Sequence, residues 1–205
     1  MMLLAIDTTA AIATAALFQD GALVEERAAD AGKKHAETVL PLIDELLEQN
    51  DVTIGDIDLF AVDIGPGSFT GVRIGVSLIN ALAFATGKSI IPVNALLTLA
   101  TASSESSRPV CTIIDARNGN AYAALYQAGQ EKLAPEGVEL ESFLTRVSAD
   151  AVFVGDIHVS NPVYPHASDV GRAALQRIET ARDSVEPLYL RPSQAERLKK
   201  PGGEA

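Results

Sequence analysis

The chain has 205 residues, 47% apolar and 21% charged, an ordinary globular composition long enough for one large domain or two small lobes. Lys and Arg number 16 against 27 Asp and Glu, a net charge of −11, and the basic residues pair only as the dipeptides Lys33-Lys34 and Lys199-Lys200. Such a chain is repelled by phosphate backbones, which excludes a free-standing nucleic-acid-binding module.

The N-terminal stretch Met1–Leu17 is apolar, but it has no positive leader and Asp7 interrupts it, so it reads as a strand and not as a secretion signal. Met1–Ile6 is a strand ending at Asp7-Thr8-Thr9. Ala13–Phe18 and Ala22–Arg27 flank the hairpin signal Gln19-Asp20-Gly21. His35–Gln49 carries apolar residues at helical spacing. Ile57–Ile64 is an apolar strand, Phe69–Thr86 a helix, Ser89–Val93 a strand and Ala95–Ser103 a short helix. The polar stretch Ser103–Ser107 before Pro109 marks a lobe boundary. Beyond it, Val110–Ile114, Asn120–Tyr126 and Ala151–Val154 read as strands, and Glu139–Arg146 and Val170–Ala181 as helices. The lobes are expected at 1–105 and 106–198, with a loose tail at 199–205. No uninterrupted apolar run reaches the roughly 18 residues that cross a bilayer. The lone cysteine, Cys111, forms no internal disulfide, and a cytoplasmic protein without membrane contact is expected.

An internal repeat organises these elements. Ile6–Gly21 matches Ile114–Gly129 at a constant offset of 108, with eight identities in sixteen positions. A repeat at half-chain spacing points to two related lobes, because solenoid periods are about 20–50 residues. Two α/β lobes that each begin strand–turn–strand, with an Asp at the first turn, describe the duplicated actin-like (ribonuclease H-like, ASKHA) fold, here with a short second lobe.

Two loops are candidates for chemistry. In actin-like ATPases the first turn of each lobe wraps phosphates with backbone amides, and glycine allows the close approach. Here Asp7-Thr8-Thr9-Ala10-Ala11 has no glycine, and Asp115-Ala116-Arg117-Asn118-Gly119 has one, so both are degraded cradles; Asp7 and Asp115 are expected to satisfy turn amides instead. The motif Gly65-Pro66-Gly67-Ser68-Phe69-Thr70-Gly71-Val72-Arg73-Ile74-Gly75 is the densest in the chain. Gly65 and Gly67 permit unusual backbone angles around Pro66, Ser68 caps the following helix, and that helix start with Arg73 is a candidate anion holder. The helix itself is apolar on nearly every side, which requires cover on more than one face. With its neighbour it suggests an exposed apolar patch, placed at His35, Val39, Leu42, Ile43, Leu46, Val72, Val76 and Ile79.

Leu4-Ala-Ile-Asp-Thr-Thr9, Gly65–Gly75, Ile114-Asp-Ala-Arg117 with Tyr122, and Pro187-Leu-Tyr-Leu-Arg191 resemble the TsaB (YeaZ) family, in order and across nearly the whole chain. The resemblance implies a paralogue of TsaD, the subunit that transfers a threonylcarbamoyl group to the adenosine beside the anticodon in tRNAs reading ANN codons. It implies a homodimer when alone, pairing with TsaD through the helices 35–49 and 69–86, a TsaE-type ATPase in the assembly, and tRNA met only through the complex. No cofactor or metal of its own is implied, while a nucleotide at the joint interface with TsaD is. TsaD-like proteins hold a metal through histidines at i and i+4; here His35 is followed at that spacing by Val39, so a pseudo-enzyme subunit with no catalytic residue is expected. His158 and His166 read as surface histidines. The competing reading is a small actin-like ATPase or kinase acting through Asp7 and Asp115. A serine peptidase at Ser68 lacks an assignable base.

Overall fold

The computed structural model describes residues 1–32, 34–103, 105 and 107–191. The expected tail at 199–205, the dipeptide Lys199-Lys200 and the end of the expected second lobe at 192–198 lie outside the described residues, as do Lys33, Ser104 and Ser106.

Two sheets carry the fold. The first has the order β3 (Ala22–Asp30), β2 (Ile12–Gln19), β1 (Met2–Asp7), β4 (Leu59–Asp63), β5 (Ser89–Val93), antiparallel through β1–β3 and parallel from β1 to β5. The second repeats it with one strand fewer: β8 (Gln130–Glu139), β7 (Asn120–Gln127), β6 (Val110–Asp115), β9 (Val152–Gly155). The helices are α1 (His35–Gln49), α2 (Phe69–Thr86), α3 (Ala95–Ala102), α4 (Leu140–Leu144) and α5 (Ala167–Leu175).

The 108-residue repeat is physical. β6 and β7 begin and end 108 residues after β1 and β2, and the hairpin turns match as well. Asp20 and Gly21 (φ 50° and 86°) recur as Ala128 and Gly129 (φ 51° and 73°), the positive-φ pair that a two-residue hairpin turn demands. The strand β8 lies beyond the repeat, which ends at Gly129, and the sequence reading does not anticipate it. Pro135 and the charges Glu131, Lys132 and Glu136 hide its pattern, as an edge strand permits. One difference separates the copies. Asp7 pairs with Thr14, whereas Asp115 pairs with Ala121, one residue short of the equivalent position. A one-residue slip reverses the faces of a strand.

Each face of the first sheet is buried. Leu4, Ile6, Leu17, Phe60 and Val62 pack under α1 and α2, through Val39, Ile43, Leu46, Val76 and Ile79. Leu3, Ala5, Ala16, Phe18 and Ile91 pack on the other face against α3 and α5, through Leu96, Val170 and Ala174. Each such Leu, Ile or Val contributes about 1.5–3 kcal/mol on burial. The second sheet turns Tyr126 and Ala124 toward that shared layer, and among the described residues its outer face, Cys111, Ile113, Ala123 and Leu125, meets only Phe143 of the one-and-a-half-turn α4 as a buried helical partner. Burial pushes the Cys111 thiol up to about 12, as befits a small core hydrophobe.

The helix read as Val170–Ala181 runs instead over Ala167–Leu175, with a 3-10 turn at Ile178–Thr180. Its start is set by the first lobe: the amide of Ala167 donates to Thr14 Oγ1 (2.8 Å) and that of Ser168 to Glu26 Oε1 (2.7 Å). These caps come from strands more than 140 residues away, so no local signal marks them.

Candidate functional site

A cleft of about 800 Å³ opens between the lobes, bounded by both first turns, the motif loop, the segment 163–165 and residues 188, 189 and 191. Its charged lining comes from Asp115, Arg117, Asp156 and Arg191, with His35 at the edge, while Phe69, Tyr122, Tyr164 and Tyr189 give it an aromatic character.

The motif loop is a packing device before it is anything else. Gly67, Gly71 and Gly75, four residues apart, form one edge of the entry to α2, and that edge lies directly on Thr8 and Thr9. A Cβ at Gly67 would stand 2.7 Å from Thr9 O, one at Gly71 2.0 Å from Thr8 O, and one at Gly75 2.3 Å from Thr8 Oγ1. Thr8 Oγ1 donates to Gly71 O (2.8 Å), and the Ser68 amide donates to Thr9 O (2.8 Å). The start of the first turn, at Thr8 and Thr9, is therefore covered by the protein's own helix, while Ala10 and Ala11 stay on the cleft. Gly65 takes the expected left-handed angle (φ 94°), but Gly67 does not; it is needed for close approach instead.

Ser68 caps α2 as expected, its Oγ accepting from the Gly71 amide (3.2 Å). Arg73 does not wait at the helix start for an anion. Its guanidinium stacks 3.9 Å from the centre of the Phe69 ring, and its Nε donates to the Tyr189 hydroxyl (2.7 Å). Phe69, Tyr189 and the neighbouring Thr70 are all exposed.

The two turn aspartates share one local device. Asp7 Oδ1 accepts from the amide (3.2 Å) and hydroxyl (2.8 Å) of Thr9, and Asp115 Oδ1 accepts from the amide of Arg117 (2.8 Å). Their surroundings differ. Asp7 is fully buried, and its Oδ2 has no partner among the described residues. Burial raises its carboxyl from 3.8 to about 7. On the adjacent parallel strand, buried Asp63 is held by the Gly65 amide (2.8 Å) and the Thr98 hydroxyl (3.0 Å); burial and then the charge of Asp7 raise it too. Asp115 instead lines the cleft, and its amide donates to Asp156 Oδ1 (2.8 Å). Asp156 is raised by its own burial. The second turn is wound through three left-handed residues, Arg117, Asn118 and Gly119.

The histidines do not assemble. Nε2 of His35 donates to Ala10 O (2.8 Å), while Val39 points into the core at 1% exposure. His158 stands exposed, edge-on to Phe153, and His166 is half-buried with Nδ1 3.8 Å from Glu26. Among the described residues no three His, Cys, Asp or Glu side chains group as metal ligands.

The expected interface residues require correction. His35, Val39, Leu42, Ile43, Leu46, Val72, Val76 and Ile79 are each 0–6% exposed and form the core under the first sheet. Leu46→Glu or Val76→Asp would therefore unfold the lobe rather than spare it. Helical spacing identified the apolar stripe correctly and assigned it to the wrong neighbour. The residues that do face outward were missed. On α2 they are Phe69, Thr70, Arg73, Ser77, Ala81, Phe84 and Ala85, with Ile74, Leu78 and Leu82 partly exposed, a surface without a carboxylate. Phe84 is 90% exposed. On α1 the outward face mixes the acidic Glu37, Asp44 and Glu48 with exposed Ala36, Leu40 and Pro41, so the longer apolar stretch without a carboxylate is on α2. By length and mean hydropathy (1.4) α2 is apolar enough to cross a membrane, yet its glycine edge is locked onto β1.

Residues 27–147, more than half the chain, match the family model described as "TsaD: tRNA N6-adenosine threonylcarbamoyltransferase". It belongs to the TsaB (YeaZ) branch of the TsaD family. The tRNA threonylcarbamoyladenosine biosynthesis protein TsaB of Escherichia coli is 34% identical over 70% of this chain and 62% of its own length; that of Bacillus subtilis is 36% identical over 62% and 56%. The matched segment thus spans little more than half of these curated relatives. A solved Pseudomonas aeruginosa structure, an uncharacterized protein with similarity to peptidase YEAZ, superposes with a TM-score of 0.81 at 28% identity, covering 93% of this chain and 99% of that one. The family's actin-like α/β fold and the two sheets described above agree, and the second lobe is the reduced one.

Proposed function

We propose that this chain is a non-catalytic subunit of tRNA threonylcarbamoyladenosine biosynthesis, a scaffold for a TsaD-type transferase that acts on the adenosine beside the anticodon in tRNAs reading ANN codons. The observation that carries the reading is the double duty of α2. Its glycine edge packs against Thr8 and Thr9 at the start of the turn where an actin-like enzyme would hold phosphate, and beyond Arg73 its outward face, from Ile74 to Ala85, is a largely apolar surface without a charge, the kind that usually serves a partner. Membership of the family supplies the partner. The same face serves a homodimer when the chain is alone, a TsaE-type ATPase joins the assembly, tRNA is met only through the complex in the cytoplasm, and any nucleotide sits at the joint interface.

Light scattering coupled to size exclusion tests this, on the chain alone and mixed with a TsaD-type protein. Wild type forms a stable heterocomplex. Ala81→Glu, at an exposed position central to the α2 face, weakens it at least about tenfold without changing the melting temperature. A heterocomplex of unchanged affinity in that variant would sink the reading.

One observation favours the second reading, an ATPase or kinase: unlike Asp7, Asp115 faces the open cleft beside Asp156. ATP turnover by the purified chain, abolished by Asp115→Asn and indifferent to Asp7→Asn, would establish it.

A further inference from the structure

We infer that residues 182–191 are a strap that holds the two lobes at one fixed opening of the cleft. The segment begins on the free edge of the first sheet, where Arg182 and Ile90 exchange both backbone hydrogen bonds (2.8 and 2.9 Å). Asn80 on α2 then clasps Val185 from both sides, its Nδ2 donating to the Val185 carbonyl (2.9 Å) and its Oδ1 accepting from the Val185 amide (3.0 Å). The Leu188 amide donates to Ile64 O (2.8 Å), at the end of β4. The chain next crosses the cleft, with Tyr189 held by Arg73 and Phe69. It lands on the second lobe at Gly137 of β8. A Cβ there would stand 2.2 Å from Arg191 Cγ and 2.9 Å from the Leu190 carbonyl oxygen, so the glycine is the socket that receives Leu190 and Arg191.

The geometry makes this a tie and not a lining. Five backbone or amide hydrogen bonds fix its near end to the first lobe, an aromatic–guanidinium stack fixes its middle, and side-chain exclusion fixes its far end on the other lobe. Actin-like hinges work by letting the lobes rotate about the cleft; a segment pinned on both sides resists that rotation. The second lobe needs such a tie because its sheet is covered thinly and its edge strand β8 is otherwise open.

The inference is independent of the proposed partner and is tested on the full chain. Spin labels at Glu48→Cys on α1 and Glu131→Cys on β8, both exposed, report the distance between lobes, and buried Cys111 does not compete for label. The unsubstituted strap gives one narrow distance distribution. Gly137→Ala, which ejects the far end, broadens it at least about twofold, and Tyr189→Ala gives an intermediate width, both with an unchanged circular dichroism spectrum. Widths unchanged in both variants would show that the shared α3–α5 layer alone holds the lobes, and a broad distribution in the parent would show that nothing does; either overturns the strap. If Gly137→Ala fails to fold, Tyr189→Ala decides, because its side chain is half-exposed and its truncation opens no buried cavity.

Discussion

Asp7 and Asp115 lie 108 residues apart in matched strand–turn–strand units, and each closes its turn with the same bond to the amide two residues on. One is sealed and the other is open. The cause is register. Leu3 and Ala5 face the layer shared by the lobes, and Asp7 continues that face inward. The one-residue slip between β6 and β7 turns Cys111 and Ile113 to the outer face of the second sheet, so Asp115, on their side, stays out of the shared layer, and as the last residue of β6 it borders the cleft. The second difference is the cover. Gly67, with Gly71 and Gly75 of α2, closes over Thr8 and Thr9 in the first turn, and nothing stands within 4 Å of a Cβ placed on Gly119 in the second. A duplicated sequence element thus carries two different roles, a structural knot in one lobe and a solvent-facing turn in the other.

That contrast breaks most completely at Gly71. Gly71→Val drives a side chain into Thr8 O and separates α2 from β1, an expected loss of about 4 kcal/mol or more in chemical denaturation. Asp7 comes next. Its carboxyl is raised in the folded state, so folding favours the protonated form; the stability this contributes is present at and below about pH 4 and is lost as pH rises to about 7. The loss is on the order of 3 kcal/mol. Asp7→Asn, which keeps the acceptor for Thr9, should flatten the denaturation midpoint between pH 4 and 7; an equally steep profile would show that buried Asp63 holds the proton instead. The smallest effects belong to the second turn. Gly119→Ala (φ 72°, open space) and Asp115→Ala should each cost only about 1 kcal/mol by thermal melting, which sharpens the comparison from its other side.

Much of this was legible beforehand. The hairpin at Asp20-Gly21, the cap at Ser68, the helices at 35–49 and 69–86 and the lobe repeat all follow from local chemistry: positive-φ residues, hydroxyl caps and 3.6-residue spacing. The strand β8 was not legible, because Pro135 and its charges hide the alternation and the matched repeat stops at Gly129. The interface was not legible in the same way. Val76 and Ala81 are both acceptable on either side of an apolar helix, and only the position of the sheet tells that the first is core and the second surface. Arg73 carries a charge that suits an anion, but Tyr189, 116 residues away, claims it.

By itself the sequence determines the elements, their duplication and the family, because turn angles, caps and apolar periods act over a few residues and family motifs are read in order. Tertiary structure alone decides which copy of the turn is sealed, which face of α2 is free, and where residues 182–191 cross. Those outcomes depend on strand register and on contacts between residues a hundred positions apart, where a shift of one residue reverses a face and no local pattern records it.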